Sequence, residues 1–496
     1  MPLSPTDHVT PAELDRGLAN LVRDGVWAQG VGALTGGVLL VGYALALGAS
    51  NLVIGLLAAV PMLAQLSQVP AILLVEHRRA RRRIAVTCLT LSRALLIPLA
   101  FLPWLPSTGA ALGLLIAGVG VSAALGAVAA CGWNSWIHDL VPEQRLGDFF
   151  SRRLFYATGF GMLVGLAAGE FVNWWEAAAR GRPVHAYTVL FVLGALAGAL
   201  STHYLARVPE PRMAPPERAL HLPAMLAEPF HQENFRRLIW FLGSWQFATN
   251  LAAPFFAVYL VAQLGYSMAF VIQMMIVSQL ANLLVTRQWG RYADRFSNKA
   301  VLRVCAPLHL ACLVAWTLVA MPQTERFAVP LLVLLHVLMG FAASGVNLAS
   351  GNIGLKLAPR GRATAFLAAS SLVNALAAGI APILGGLFAD DFAERELALV
   401  VRWSSGPRAS DIVNLSLRHW DFFFLLAALL GLYALHRLAL VREQGWNEDQ
   451  DLLEEIISET RRAMASVSSV AGVLLMTVFP FGRLLRLTRL KRARRR

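Results

Sequence analysis

Leu112-Gly-Leu-Leu-Ile-Ala-Gly-Val-Gly-Val-Ser-Ala-Ala-Leu-Gly-Ala-Val-Ala-Ala-Cys131 runs without a single charge. A bilayer's hydrocarbon core is about 30 Å thick and a helix rises about 1.5 Å per residue, so one crossing takes about 20 apolar residues. The stretch has that length. It lacks the alternation of a barrel strand, and an open backbone has no water to bond in hydrocarbon, so the crossing is helical. Trp27–Leu47 and Leu425–Leu440 read the same way. Over all 496 residues, 57% are hydrophobic and only 15% charged. A soluble domain carries about 25% charge to cover its surface, so an integral membrane protein is indicated.

Outward from that stretch, further blocks predict spans at 26–47, 52–75, 84–104, 110–137, 153–175 and 185–206. A break follows, then spans at 237–263, 268–289, 301–321, 327–355, 364–389 and 421–440. The expected organisation is an N-terminal segment 1–24, a six-helix bundle 25–206, a linker 207–236, a second bundle 237–440 and a tail 441–496. The linker is rich in proline (209, 211, 215, 216, 223 and 229). Between the last two spans, Glu396–Trp403 and Val413–Trp420 flank Ser404-Ser-Gly-Pro407, which suggests a small hairpin against the plainer reading of an irregular loop.

The net charge of +14 could suggest a nucleic-acid partner, but the basic residues sit in short clusters between apolar blocks and at the C-terminus. There they set orientation and meet anionic lipid. Arg78, Arg79 and Arg81–Arg83, then Arg145, Arg152 and Arg153, then Arg291, Arg295 and Lys299 mark one face. The loops Gly48–Asn51, Pro106–Gly109 and Gly265–Ser267 on the other face lack such clusters. The positive-inside rule places both termini in the cytoplasm of a multi-pass inner-membrane protein. The N-terminus has no basic region of a cleaved signal, so the first span directs insertion. The tail, with acids after Glu443 and the basic run Arg483–Arg496, is expected to lie on anionic lipid.

Enzyme signatures are missing: there is no G-x-S-x-G, no P-loop among three lysines, and no close histidine pair. Cys88, Cys131, Cys305 and Cys312 all lie in apolar blocks, which indicates neither a disulfide framework nor a metal. No cofactor is expected.

A shift of 217 residues lays one half over the other. Gln29 falls on Gln246, Gly48 on Gly265, Ser50 on Ser267, Pro142 on Pro359, Arg145 on Arg362, Phe149 on Phe366 and Gly169 on Gly386. An even number of spans per half makes the repeat parallel, about an axis along the membrane normal. Within it, Gly290-Arg-Tyr-Ala-Asp294-Arg295-Phe-Ser-Asn-Lys299 and Ala381-Pro382-Ile-Leu-Gly385-Gly386 resemble motifs of the major facilitator superfamily. The resemblance covers roughly residues 20–440, and the first-half copy of the former motif, around Leu73, Glu76, His77 and Arg78, is decayed. Gly161, Gly165 and Gly169 keep small residues at every fourth position, which mostly means close helix packing.

The resemblance implies an all-α membrane fold, twelve transmembrane helices in two parallel-repeat six-helix bundles, with spans 1, 4, 7 and 10 lining a central cavity. Those spans offer Gln29; Trp133, Asn134 and His138; Gln246 and Asn250; His336, Ser344 and Asn347. Each of these is either a cavity group or an interhelical bond within a bundle. The stripe through His336, Ser344 and Asn347 favours the cavity. A neutral amide ring would orient a polar ligand without charge. Asp294 and Arg295, with Arg145 and Arg362, would form a cytoplasmic gate. Glu170, His309 and Arg93 are candidates for coupling, although Arg93 reads better as a structural ion pair or carbonyl contact. The expected function is alternating-access transport of a small solute that is not strongly charged, by a monomer. A lipid flippase and a non-transporting sensor or assembly protein are the alternatives. Reporter domains fused after Gly109 and after Leu440 should lie on opposite sides of the membrane, and finding them on one side would refute the span count.

Overall fold

The computed structural model describes residues 5–6, 9–178, 184–213, 222–319, 327–359, 363–405 and 408–443. Among them, 12 helices are long and apolar enough to cross a membrane. In the first half these are α1 (Pro11–Ala46), α2 (Asn51–Arg78), α3 (Arg81–Trp104), α4 (Thr108–Leu140), α5 (Arg145–Ala178) and α6 (Val184–Leu205). The second half holds α7 (Glu233–Gln263), α8 (Met268–Arg295), α9 (Asn298–Leu318), α10 (Ala328–Leu357), α11 (Ala365–Asp391) and α12 (Trp420–Ala439).

The repeat read from the sequence reappears as packing. α1 lies on α5 and α6, as α7 lies on α11 and α12. α3 lies on α4 and α6, as α9 lies on α10 and α12. The halves then meet through α2 on α11 and α5 on α8. Small residues permit these seams, because lipid supplies no hydrophobic drive and close approach must come from backbone contact. A Cβ on Gly55 would meet the Pro382 carbonyl oxygen at 2.2 Å, and one on Gly169 would sit 3.0 Å from the Ala269 Cα.

The first helix of each half is broken at the same level. Gly36 is extended and Gly37 adopts φ +54, which interrupts α1. Ala253 and Pro254, related to them by the same offset, interrupt α7, and a π-helical turn follows at Tyr259–Gln263. Proline has no N–H to give and glycine alone takes that φ cheaply.

Two stretches differ from the sequence reading. Residues 11–24 are the first turns of α1 instead of a separate segment, started by a capping box in which the Thr10 hydroxyl accepts from the Glu13 N–H and Glu13 accepts from the Thr10 N–H. Leu18 and Leu21 anchor these turns in a small core with Trp136, Leu205 and Val208. Part of the linker is also helical, over Leu222–His231. The hairpin is formed, by β1 (Glu396–Ser405) and β2 (Arg408–Arg418), antiparallel with a bulge at Val401/Arg402. The tail beyond residue 443 and Arg362 lie outside the described residues.

Each half ties its last helix to its third by one device. After α6, Glu210 accepts the Arg81 N–H at the start of α3 at 2.7 Å, and the buried Arg81 guanidinium reaches the Pro211 carbonyl at 2.8 Å and pairs with Asp139 of α4. After α12, Glu443 accepts the Lys299 N–H at 2.8 Å and the Asn298 amide at 2.9 Å at the start of α9, and pairs with Lys356 of α10 at 2.9 Å. Positions 81 and 298, and 139 and 356, are repeat equivalents, so the cation has moved from the third helix to the tenth while the capping carboxylate has stayed. Burial pushes the Glu210 carboxyl up, against the bonds from the Arg81 and Arg82 N–H groups and the Arg81 charge. Burial also pushes Glu443 up, but the Lys356 ammonium, the Lys299 N–H and the Asn298 amide hold it below the ordinary carboxylate value.

A depressed carboxyl stabilises the fold above its unfolded pKa, and that contribution is lost as pH falls through the folded value. Glu443→Gln should therefore lower the melting temperature of the solubilised protein at neutral pH. The gap from wild type should close on acidification below about pH 4. Thermal melts across pH check this, and a gap independent of pH would contradict it.

Candidate substrate cavity

A cavity of about 600 Å³ sits where the two broken helices face each other. Its first-half wall, from α1 and α2, is apolar throughout: Val38, Val41, Ile54 and Leu57 are typical of it. Its polar and aromatic lining comes from the second half, with Asn250 and Phe256 on α7, Gln279 on α8, His309 and Trp316 on α9 and His336 on α10. A more polar recess of about 510 Å³ adjoins it, sharing Met62 and Asn250. Gln65 and Gln68 of α2, Gln246 of α7 and Asn374 of α11 line that recess, which extends from the breaks toward the arginine-rich face. Asn250 bridges the two, its amide donating to the Gln246 carbonyl at 2.9 Å and to the Gln246 side chain at 3.1 Å.

At the opposite face, which carries the hairpin, the halves cap each other's helices. Asp390, at the end of α11, accepts the N–H groups of Asn51 at 3.2 Å and Leu52 at 3.0 Å, and the Asn51 amide at 2.9 Å. Asn173 on α5 accepts the Ala269 N–H of α8 at 3.5 Å. Asn173 and Asp390 are repeat equivalents, and so are Leu52 and Ala269. A helix start leaves N–H groups without intrahelical partners and carries partial positive charge, so an oxygen from the other half is favoured there, an anionic one most. Gln273 adds a bond to Glu170 across the same seam at 3.4 Å.

Several sequence-based candidates lie elsewhere. Gln29 packs against Gly161 of α5, within its own half. Asn134 and Asn347 are exposed and line neither recess. Ser344 is buried in a hydroxyl pair with Thr286 at 2.7 Å. Of the expected neutral ring, Asn250 and His336 reach the main cavity and Gln246 the recess. Arg145 pairs with Asp15 of α1 at 2.8 Å, inside its own half. Asp294 is exposed and has no partner among the described residues, and Arg295 lies over the Phe296 ring at 5.0 Å. Arg362, the fourth residue expected at this gate, lies outside the described residues. Arg93 lies over Gly198 and near Asp24, which accepts from Ser201 at 2.7 Å and lies 3.7 Å from Arg153. Arg93 thus lies in the first half, off the cavity, with its Nε buried and without a hydrogen-bond partner among the described residues. His309, considered for coupling, lines the cavity. Trp316, Phe256 and Gln279 were not singled out by sequence reasoning. The one available signal was the polar pair Ser278-Gln279, which shares its span with Gln273 and Asn282.

A cavity between two repeat-related bundles, bridged by hydrogen bonds at one face and extended toward the other, fits a multi-pass membrane transporter of the two-bundle class. The Major Facilitator Superfamily model matches residues 27–382, and the chain belongs to that family. Solved structures with the same fold include the nucleoside transporter NupG in a variant form, with TM-score 0.62 and 14% identity, covering 86% of this chain and 100% of that one. A POT family transporter in complex with a thioalcohol-conjugated peptide gives 0.62 at 12%, covering 86% and 97%. A D-xylose–proton symporter gives 0.56 at 16%, covering 88% and 98%. No curated protein compared matches the chain in sequence.

Removing a cap costs about 0.5–2 kcal/mol. Asp390→Ala should therefore speed the labelling of a cysteine placed at Val41 by a membrane-impermeant reagent added on the hairpin side, by about two- to 30-fold. An unchanged rate would show that the caps do not hold this face shut.

Proposed function

We propose that this protein is a secondary transporter that moves a small solute without strong charge by alternating access, through rocking of residues 20–206 against 237–440. The observation that carries the reading is the cavity itself. It lies on the seam between the halves and none of its lining residues is ionic at neutral pH except through histidine. A permanent charge entering it would shed water without gaining a counter-charge. The solved neighbours described as moving a nucleoside and D-xylose fit that class.

With the arginine clusters in the cytoplasm of the inner membrane, the hairpin face is external and this conformation opens inward. Opening outward would require the caps at Asn51 and Ala269 to separate while the arginine-rich ends close. Each half supplies one wall of the same cavity, which supports a monomer as the working unit. The apolar first-half wall gives some support to the second reading, an amphiphile flippase.

A thermal-shift screen of the purified full chain against neutral solutes, charged solutes and lipids tests this. Neutral solutes should stabilise the protein, and Asn250→Ala should weaken the best hit by about five- to 150-fold, the cost of losing a buried hydrogen-bond partner. Stabilisation by lipids alone would replace transport of a small solute with the flippase reading.

A further inference from the structure

The two walls of the cavity differ in kind, and the difference selects a ligand. On the second-half wall the Phe256 and Trp316 rings meet at 4.6 Å between centroids, tilted by 40°. Phe256 is backed by Phe424, stacked at 5.1 Å. The Trp316 N–H is already spent on the Met339 sulfur at 3.2 Å. His336 packs edge-on against Trp316 at 5.5 Å. Its Nδ1 lies 2.8 Å from the Leu332 carbonyl oxygen. A carbonyl only accepts, so Nδ1 carries the hydrogen and the neutral ring keeps its lone pair on Nε2. Nε2 has no hydrogen bond among the described residues, yet it is not among the sealed, unpartnered atoms. It is therefore an accessible acceptor on a residue that lines the cavity. His309, also on this wall, has its Nδ1 sealed without a partner.

Opposite stand Val38, Val41, Ile54 and Leu57, which can form no hydrogen bond through their side chains. A ligand with hydroxyls on every edge would leave some of them unpaired against that wall. A flat ring would instead lay apolar area on the first half and an aromatic edge on the second.

We infer that the cavity selects an uncharged planar ring compound carrying an N–H or O–H donor, its ring held against Phe256 and Trp316 and its donor on His336 Nε2. This rests on the transport reading above and narrows it to a substrate class. Specificity then resides in the second half, and the first half serves as an apolar wall that contacts the ring without reading its polar groups.

Theophylline and caffeine share one planar neutral skeleton and differ in a ring N–H replaced by N-methyl, which isolates the donor. Equilibrium dialysis of the full chain in lipid nanodiscs at neutral pH, against empty nanodiscs, should show theophylline bound more tightly by about five- to 150-fold. His336→Leu should erase that preference, with His336→Phe as the second variant should leucine fail to fold. Phe256→Leu should weaken both xanthines by about two- to tenfold. Equal binding of the two, a preference that survives loss of His336, or no binding of either would overturn the inference. Binding of D-xylose with neither xanthine would do so while leaving small-solute transport standing. Binding of lipid alone would remove both.

Discussion

Hydrocarbon offers no partner to a bare peptide group, and the architecture follows from that one constraint. Twelve helices satisfy their backbones internally, and several of the places where they cannot do so lie where the two halves meet. α1 opens at Gly36–Gly37 and α7 at Ala253–Pro254, both beside the cavity. The starts of α2 and α8 find their missing acceptors on the opposite half, at Asp390 and Asn173. The starts of α3 and α9 find theirs within their own half, at Glu210 and Glu443, so the seam holds only the part of this polar demand that lies beside the cavity.

Much of this was legible in the chain because duplication leaves a record. The shift of 217 residues pairs Gly169 with Gly386, and both glycines lie at the inter-half contacts. The hairpin was legible from two β-leaning runs about Gly406-Pro407. Residues 11–24 were not, because their helix is held by Leu18 and Leu21 on Val208 and Trp136, a tertiary contact that polar composition conceals.

The cavity was half legible, for a related reason. Polar residues in spans must find partners, but sequence does not say whether the partner is a ligand, water or a neighbouring helix. Ser344 found Thr286, and Gln29 settled against α5. Asn250 and His336 reached the cavity. Trp316 escaped notice because an aromatic residue in a span is ordinarily packing, and its place behind a ligand wall depends on how α9 and α10 turn toward α7.

The carboxylate ties at Glu210 and Glu443 carry a consequence for ancestry. Both halves still close the same circuit, yet one runs Arg81 to Asp139 and the other Asn298 to Lys356. A hybrid bundle joining the third helix of one half to the fourth of the other would set arginine against lysine, or asparagine against aspartate with the cation gone. The charge sits on different members of the two ties, so the halves are not interchangeable at this point although their helices pack in the same order.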